Sequence, residues 1–428
     1  MTVFIAGGSG LIGTALADRL ERSGHAVILG VRDVDAMARR RPGAHVVRFD
    51  FAAPDVEALA DALAGVDVVV NAAGVFKEGR QQSFDDIHVK GPCSLFQAAA
   101  MAGVARIVQI SALGADVRAP TPYWRSKARG DRCARAFPGM PVVVRPSLVY
   151  ADDGASSLLF QRLAALPWLP LPATTADVQP IHLDDLVDGL AALLEHPDPP
   201  PQIDAVGPRA MPLVCYLRAL SPADARPQHV LRIPDRVARA AAGALRWLPG
   251  RAFDTDALRM LALPNTGDAA PWRALLQSEP RDPGTFVAPA RRPALRRDAI
   301  LANMLPLLRA SLSLTWLYTA YVSLFVFPQA ASLDLLLRAH VPAALAPASL
   351  YAAAALDAAL GLGMWVRRWR RAAYMVQIGV VLFYSVVIGL WLPEYWAHPY
   401  GPMIKNLPLL ALTLLLLWLE APRGHRAG

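Results

Sequence analysis

Residues 2–33 read TVFIAGGSGLIGTALADRLERSGHAVILGVRD. The apolar run at 3–6 stops at Gly7, glycines recur at Gly10 and Gly13, and an amphipathic pattern with Leu11, Ile12, Ala15, Leu16 and Leu20 follows at once. The pattern predicts strand, glycine turn, helix. The turn needs a residue without a Cβ, the backbone must come close to a pyrophosphate, and the helix must pack tightly on the strand. The phosphates then lie against free N–H groups at the helix N-terminus. Gly7, Gly10, Leu11, Ile12 and Gly13 are therefore candidate dinucleotide-binding residues. Gly24 ends the helix, and a second apolar run over 26–31 completes a β-α-β unit.

Arg32 and Asp33 follow that second strand. An arginine pairs with the 2′-phosphate of NADP, whereas an acidic side chain accepts from the ribose hydroxyls of NAD. Arg32 stands nearest the strand end, which favours NADP. NAD is the alternative if Arg32 points into solvent and Asp33 does the reading. A third strand over 46–49 closes on Asp50, an acceptor for the adenine amine or a helix cap. A fourth, over 66–70, runs into Asn71, Ala72, Ala73 and Gly74, small residues that let the backbone approach the adenosine half. Helix and strand then alternate over 85–102, 107–110, 122–137 and 142–144. That alternation predicts an α/β fold with a doubly wound parallel sheet covered by helices on both faces.

With 54% hydrophobic and 18% charged residues in 428, the chain is richer in apolar residues than one ordinary soluble domain, so more than one domain is expected and part of it should leave water. The formal net charge of +8 is carried by arginines placed singly or in short groups. They read as solvated faces and membrane-flanking charges, not as a nucleic-acid surface. Cys93, Cys133 and Cys215 are far apart and have no metal-ligand spacing, so no metal site is expected and the three read as buried thiols in a reducing compartment. No basic region precedes the first apolar run, which predicts no secretory signal and a cytoplasmic first domain.

The glycine pattern, the segment from Asn71 to Gly74, Ser111 after the fifth strand, and PYWRSKARGD with Tyr123 and Lys127 together resemble the short-chain dehydrogenase/reductase superfamily. The short gap from Ser111 to Tyr123 resembles its atypical branch, which includes proteins similar to the NADPH-binding subunit of respiratory complex I. The resemblance covers residues 1–290. It implies a Rossmann-like fold, Tyr123 as general acid, Lys127 one helical turn later to lower the tyrosine pKa and hold the nicotinamide ribose, and Ser111 to bind the carbonyl oxygen. His88 stands where many members carry an asparagine that continues a proton relay. A neutral imidazole can relay a proton, but a broken relay also fits a member that binds NADPH without turning it over. The stretch 145–150 resembles the one beside the nicotinamide, which makes Pro146 and Ser147 cofactor candidates. Residues 179–185 (QPIHLDD) resemble the next strand and helix start, with His182 structural and Asp184 or Asp185 as cap.

From about 197 the pattern changes to loops and proline-interrupted helices, the substrate region that the resemblance implies. Trp247, Phe253, Met260 and Trp272 either line an apolar pocket there or belong to ordinary core. Residues 278–298 read as a linker rich in Pro and Arg. Beyond it the runs 310–327, 341–366 (interrupted by Asp357), 372–392 and 403–419 (with Lys405 near its start) are long and apolar enough to predict four membrane-spanning helices. Asp357 and the segment LPEYWAHPYGPMIKNLP at 392–408 resemble the four-helix DoxX-like membrane domain found fused behind atypical dehydrogenases, over about residues 300–422. The expected architecture is a Rossmann-like domain followed by an all-α four-helix transmembrane bundle.

Arg291, Arg292, Arg296 and Arg297 precede the first span, Arg367, Arg368, Arg370 and Arg371 separate the second from the third, and Arg423 and Arg426 follow the fourth. The loops around 334–340 and 393–401 hold few basic residues. The positive-inside rule then puts both termini and the middle loop in the cytoplasm of a bacterial-type inner membrane. An ionised carboxylate facing lipid is costly, so Asp357 is expected to face the bundle interior and either to pair, with Arg309, Lys405 or Asn406 as candidate partners, or to be protonated. Two function classes compete. One is a membrane-tethered NADP-dependent oxidoreductase acting on a carbonyl, alcohol or enoyl group of a small-molecule or lipid-like substrate. The other is an NADPH-binding scaffold or assembly factor with a protein partner in a membrane complex.

Overall fold

The computed structural model describes residues 1–79, 82–221, 229–244, 255–399 and 401–420. Trp247, Phe253, Arg423 and Arg426 lie outside the described residues. The chain divides into two compact units, Met1–Ala299 and Ile300–Gly428.

In the first unit β1 (Thr2–Ala6), β2 (Ala26–Val31), β3 (His45–Arg48), β4 (Val68–Asn71), β5 (Arg106–Ile110), β6 (Met140–Pro146) and β11 (Gln202–Ala205) form one seven-stranded sheet in the order β11-β6-β5-β4-β1-β2-β3. Every neighbouring pair is parallel. Alternate residues point to opposite faces, so Val3 and Ile5 enter one core with Leu16 and Leu20 of α1 (Leu11–Arg22). Phe4 and Ala6 enter the other core with Leu59 of α3 (Val56–Ala62) and Leu95 of α4 (Gly91–Met101). The remaining flanking helices are α2 (Val34–Arg40), α5 (Pro122–Arg135), α6 (Ala155–Ala164) and α7 (Leu183–Glu195). The strand order reverses between β1 and β4, and at such a switch point a crevice opens beyond the carboxyl ends of the strands. Gly7 and Ala72 emerge there.

Short strands pair outside the main sheet: β7 (Val149–Tyr150) with β10 (Ile181–His182), β8 (Trp168–Pro172) with β13 (His229–Ile233), and β9 (Asp177–Val178) with β12 (Met211–Pro212). With α8 (Leu213–Ala219) they surround a third apolar cluster that includes Phe160, Tyr216, Phe286 and Val287. The segment expected as a linker is thus partly packed core. Trp272, in α11 (Ala270–Leu276), is fully buried as core, while Met260 of α10 (Thr255–Leu261) packs beside Trp124 and Tyr123. The short α9 (Asp235–Ala244) precedes them.

Two expectations are corrected in this unit. Cys93 and Cys133 are not free thiols: α4 and α5 bring their Cα atoms to 5.2 Å and the pair is a disulfide, while Cys215 is exposed. The cap of α7 is His182, whose ring accepts from the Asp184 N–H at 3.2 Å, rather than either aspartate.

The second unit contains α12 (Arg292–Tyr321, begun in the first), α13 (Gln329–Arg338), α14 (Ala346–Gly363), α15 (Arg370–Trp391), α16 (Glu394–Ala397) and α17 (Asn406–Leu419). Among the described residues three stretches are long and apolar enough to cross a membrane: Pro289–Val326, Ala346–Gly363 and Arg370–Trp391. The fourth expected span, α17, has 14 residues. At about 1.5 Å per residue it falls short of a hydrocarbon core about 30 Å thick. It nevertheless shares one core with the others, through Leu312, Leu360, Tyr374 and Leu416. Asp357 is 5% exposed and so faces inward, but its Oδ1 has no hydrogen-bond partner among the described residues. Of its expected partners, Arg309 is instead paired with Glu420, and Asn406 donates to the Ser385 hydroxyl at 2.8 Å. The loop expected around 334–340 is mostly part of α13, and Ser332, earlier in that helix, is buried.

Candidate active site

The turn after β1 is shaped by backbone proximity. Gly7 adopts φ +78°, and a Cβ there would lie 2.8 Å from the Ala73 nitrogen; one on Gly13 would lie 2.4 Å from the Gly7 carbonyl oxygen. The Gly10 N–H donates to Gly7 at 2.9 Å, closing the turn. Gly10 caps α1 without a side chain, so none covers the first-turn N–H groups of Leu11, Ile12 and Gly13. A cradle that side chains would fill, at a helix N-terminus, fits a dinucleotide pyrophosphate. Across the crevice the Asn71 amide is buried, donating to Gln109 at 2.7 Å while its oxygen accepts from the Ala73 N–H at 3.2 Å. Asn71 thereby shapes the turn through Ala72, Ala73 and Gly74. At the end of β2, Asp33 caps α2 by accepting from the Ala36 N–H at 2.9 Å, while Arg32 is exposed. Asp50 accepts from the Ala52 N–H at 3.0 Å, a turn contact within its own segment.

The helix α5 begins with Thr121 as cap and Pro122 in its first turn, a regular start that sets Tyr123, Lys127 and Asp131 at intervals of four on one face. Lys127 is 4% exposed and donates to the carbonyls of Ile110 at 3.0 Å and Ala73 at 3.4 Å, at the ends of β5 and β4. Gly74 lies beside its ammonium: a Cβ there would be 3.1 Å from Nζ. Burial pulls the ammonium down to about 8, opposed by the Asp131 charge. The Tyr123 ring stacks on Phe76 at 4.5 Å and meets His88 edge-on at 5.6 Å. Desolvation, then the Asp131 charge, pushes its phenol above the ordinary tyrosine value.

Ser111 and His88 differ from the roles expected for them. The Ser111 hydroxyl is buried and donates to Asp131 Oδ2 at 2.7 Å, so its one proton is committed inside the protein. His88 Nε2 accepts from the Val75 N–H at 3.1 Å, and Nδ1 lies 2.8 Å from the Ser126 oxygen. Ser126 donates its own proton to the Tyr123 carbonyl at 2.7 Å, so Nδ1 must carry the hydrogen. Both ring nitrogens are thus engaged. Burial and the neighbouring Lys127 charge hold the imidazole neutral, its pKa down to about 2. His88 straps the loop after β4 to α5. Ser147 is also inward, donating to the Gln179 carbonyl at 2.6 Å, and Pro146 lies buried at the end of β6.

Asp131 and Asn265 escaped the sequence reading. Asp131 is legible as the next step of four after Tyr123 and Lys127. Asn265 has no such signal: its oxygen accepts from the Leu148 N–H at 2.9 Å, and its amide donates to the Leu113 carbonyl at 3.4 Å, tying distant segments behind the site.

Residues 7–154 match the NAD(P)H-binding family and residues 313–414 the DoxX-like family. The chain is 30% identical over 205 residues to the mitochondrial NADH dehydrogenase [ubiquinone] 1 alpha subcomplex subunit 9 of Dictyostelium discoideum, covering 46% of this chain and 55% of that one. It is 30% identical over 197 residues to the ceramide reductase of Caulobacter vibrioides, covering 46% of this chain and 61% of that one. The chain therefore spans little more than half the length of these relatives. Among solved structures, a nucleoside-diphosphate-sugar epimerase from Staphylococcus aureus superposes with a TM-score of 0.54 at 17% identity, over 67% of this chain and 99% of that one. A short-chain dehydrogenase/reductase superfamily protein from Agrobacterium tumefaciens with bound NAD gives 0.52 at 16% identity, over 71% and 99%. At such identities the likeness is one of fold. The N-terminal unit is an NAD(P)H-binding, short-chain dehydrogenase/reductase-like domain, and it is followed by a DoxX-like domain.

Proposed function

We propose that this NAD(P)H-binding domain joined to a DoxX-like membrane domain is a membrane-tethered reductase, NADPH-preferring, that acts on a carbonyl group of a lipid-like substrate. The observation that carries the reading is Tyr123 and Lys127 on one face of α5, with the Lys127 ammonium at the carboxyl ends of β4 and β5. Bound NADPH supplies the hydride. Tyr123, its phenol kept protonated by burial, gives a proton to the developing oxyanion, and Lys127 holds the ribose and steadies the charge. Ser111 serves Asp131 rather than the substrate. The ceramide reductase relative lends support to a lipid-borne substrate. In the test, full-length protein in mixed micelles with host lipid extract receives NADPH deuterated at nicotinamide C4. Deuterium is expected in the lipid fraction at a carbinol carbon; its absence, with NADPH bound, favours a scaffold in a membrane complex. The locked ring of His88 and the complex I subunit relative favour that second reading.

The cofactor preference rests on Arg32. With Asp33 engaged as a helix cap, the exposed Arg32 is the group left to meet a 2′-phosphate. A charge-assisted bond of this kind contributes about 1.5 to 3 kcal/mol, about a tenfold to hundredfold preference for NADPH over NADH. Titration of Arg32→Ala should show most of that preference gone; equal affinities in the unmutated protein would sink the assignment.

The start of the bundle and the Arg367–Arg371 loop are assigned to the cytoplasm by their basic residues, and the end of α17 to the same side by Glu420, which pairs with Arg309 and Arg370. Because Ser332 is buried, the outward probe is better placed at the exposed Asp334. A cysteine there should react with an impermeant thiol reagent in intact cells, and one at Trp369, 61% exposed, should not. The opposite labelling overturns the orientation.

A further inference from the structure

Asp131 is 2% exposed, accepts from Ser111 through Oδ2 at 2.7 Å, and leaves Oδ1 without a hydrogen-bond partner among the described residues. A carboxylate so deeply buried needs a counter-charge. Of the other cations that act on it, Arg145 on β6 is paired with the Asp204 carboxylate at 2.7 Å, and Arg135 at the end of α5 is exposed, where solvent screens it, and bonded to Gln202 at 2.8 Å. Lys127, one turn back on the same face, is bonded among the described residues only to the neutral carbonyls given above, and those leave its charge unbalanced. Facing Lys127 from the turn before α4, His88 is neutral, and Tyr123 is an uncharged phenol.

We propose that Asp131 is a positioning residue: anchored by Ser111, its carboxylate is the counter-charge that keeps Lys127 an ammonium at the carboxyl ends of β4 and β5, where the cofactor ribose is gripped. Sequence spacing and the burial of both groups support this arrangement; with no hydrogen bond to Oδ1 among the described residues, the two charges act on each other across space. Burial pulls Lys127 down to about 8 even with Asp131 pushing the other way. Without the carboxylate the ammonium should lose its proton at lower pH, and the grip on the ribose with it.

The proposal rests on the cofactor reading above but not on turnover, so its test is NADPH binding by nicotinamide fluorescence, on full-length protein in detergent, across pH. Affinity of the unmutated protein should fall through a midpoint near that of Lys127. Asp131→Asn should move the midpoint down by about 1 pH unit or more, the size of effect expected from an adjacent opposite charge. Asp131→Glu should restore it. Lys127→Arg, charged throughout, should bind without a midpoint, and adding Asp131→Asn to it should change affinity little. A uniform loss of affinity with an unmoved midpoint, or the full loss of Asp131→Asn on the Lys127→Arg background, overturns the proposal. If Asp131→Asn does not fold, an altered midpoint in Asp131→Glu or a surviving one in Lys127→Arg does the same. Failure of the unmutated protein to bind NADPH overturns the cofactor reading instead.

Discussion

Tyr123→Phe should keep NADPH bound and lower hydride transfer to the lipid fraction by about a hundredfold to ten-thousandfold, the range for removing a general acid. The substitution removes one oxygen and leaves the ring's stack on Phe76 and its edge contact with His88, so the fold has no reason to change. What is lost is the proton for the oxyanion that forms as hydride arrives. Because that interaction matures only in the transition state, kcat and kcat/KM should fall together. Lys127→Met, by contrast, should weaken binding as well as turnover, since its ammonium is the group proposed to grip the ribose. Full turnover by Tyr123→Phe would end the catalytic assignment. A scaffold has no turnover to lose, and in that case the Tyr123→Phe protein should support membrane-complex assembly unimpaired.

The frame of this site was legible because it depends on local chemistry. Three glycines between a strand and a helix can do little else, and the structure gives two of them a steric reason: at Gly7 and Gly13 a Cβ has nowhere to go. The strand ends that deliver Asn71 and Ser111 also followed from apolar runs of strand length, and Tyr123 from the helix that comes next. Side-chain partners across the sheet were not legible. Nothing in the spacing says that Ser111 donates to Asp131, or that His88 spends both nitrogens on Val75 and Ser126, because those pairings depend on how α5 and the turn before α4 lie against each other. The Cys93–Cys133 pair is hidden for the same reason. In the membrane unit, hydropathy located the apolar runs but not their helical extent. The 341–366 run includes the irregular stretch before Ala346, and α17 stops short of a full span.

Gly130→Ala should be strongly destabilising, although the sequence alone argues the reverse. In an open helix interior alanine is preferred over glycine by about 0.5 to 1 kcal/mol. Gly130 lies inside α5, but a Cβ there would stand 2.0 Å from the His88 carbonyl oxygen, a backbone atom of the facing turn that has no rotamer with which to yield. The two elements must part, at an overpacking cost of about 1 to 3 kcal/mol or more. Parting them also pulls on His88, which straps Val75 to Ser126, and so displaces the loop from Ala72 to Gly74 from Lys127. NADPH affinity should therefore fall along with the melting temperature of the first unit. Gly243→Ala in α9, where a Cβ meets nothing within 4 Å among the described residues, is the control and should be neutral or stabilising. The same chemical change then has opposite signs at two helical glycines, and the difference of about 1.5 to 4 kcal/mol measures how closely α5 is held against the turn before α4. A Gly130→Ala protein that melts no lower than the unmutated one would mean that this close approach does not exist in solution, and with it would go the strap that holds the site in register.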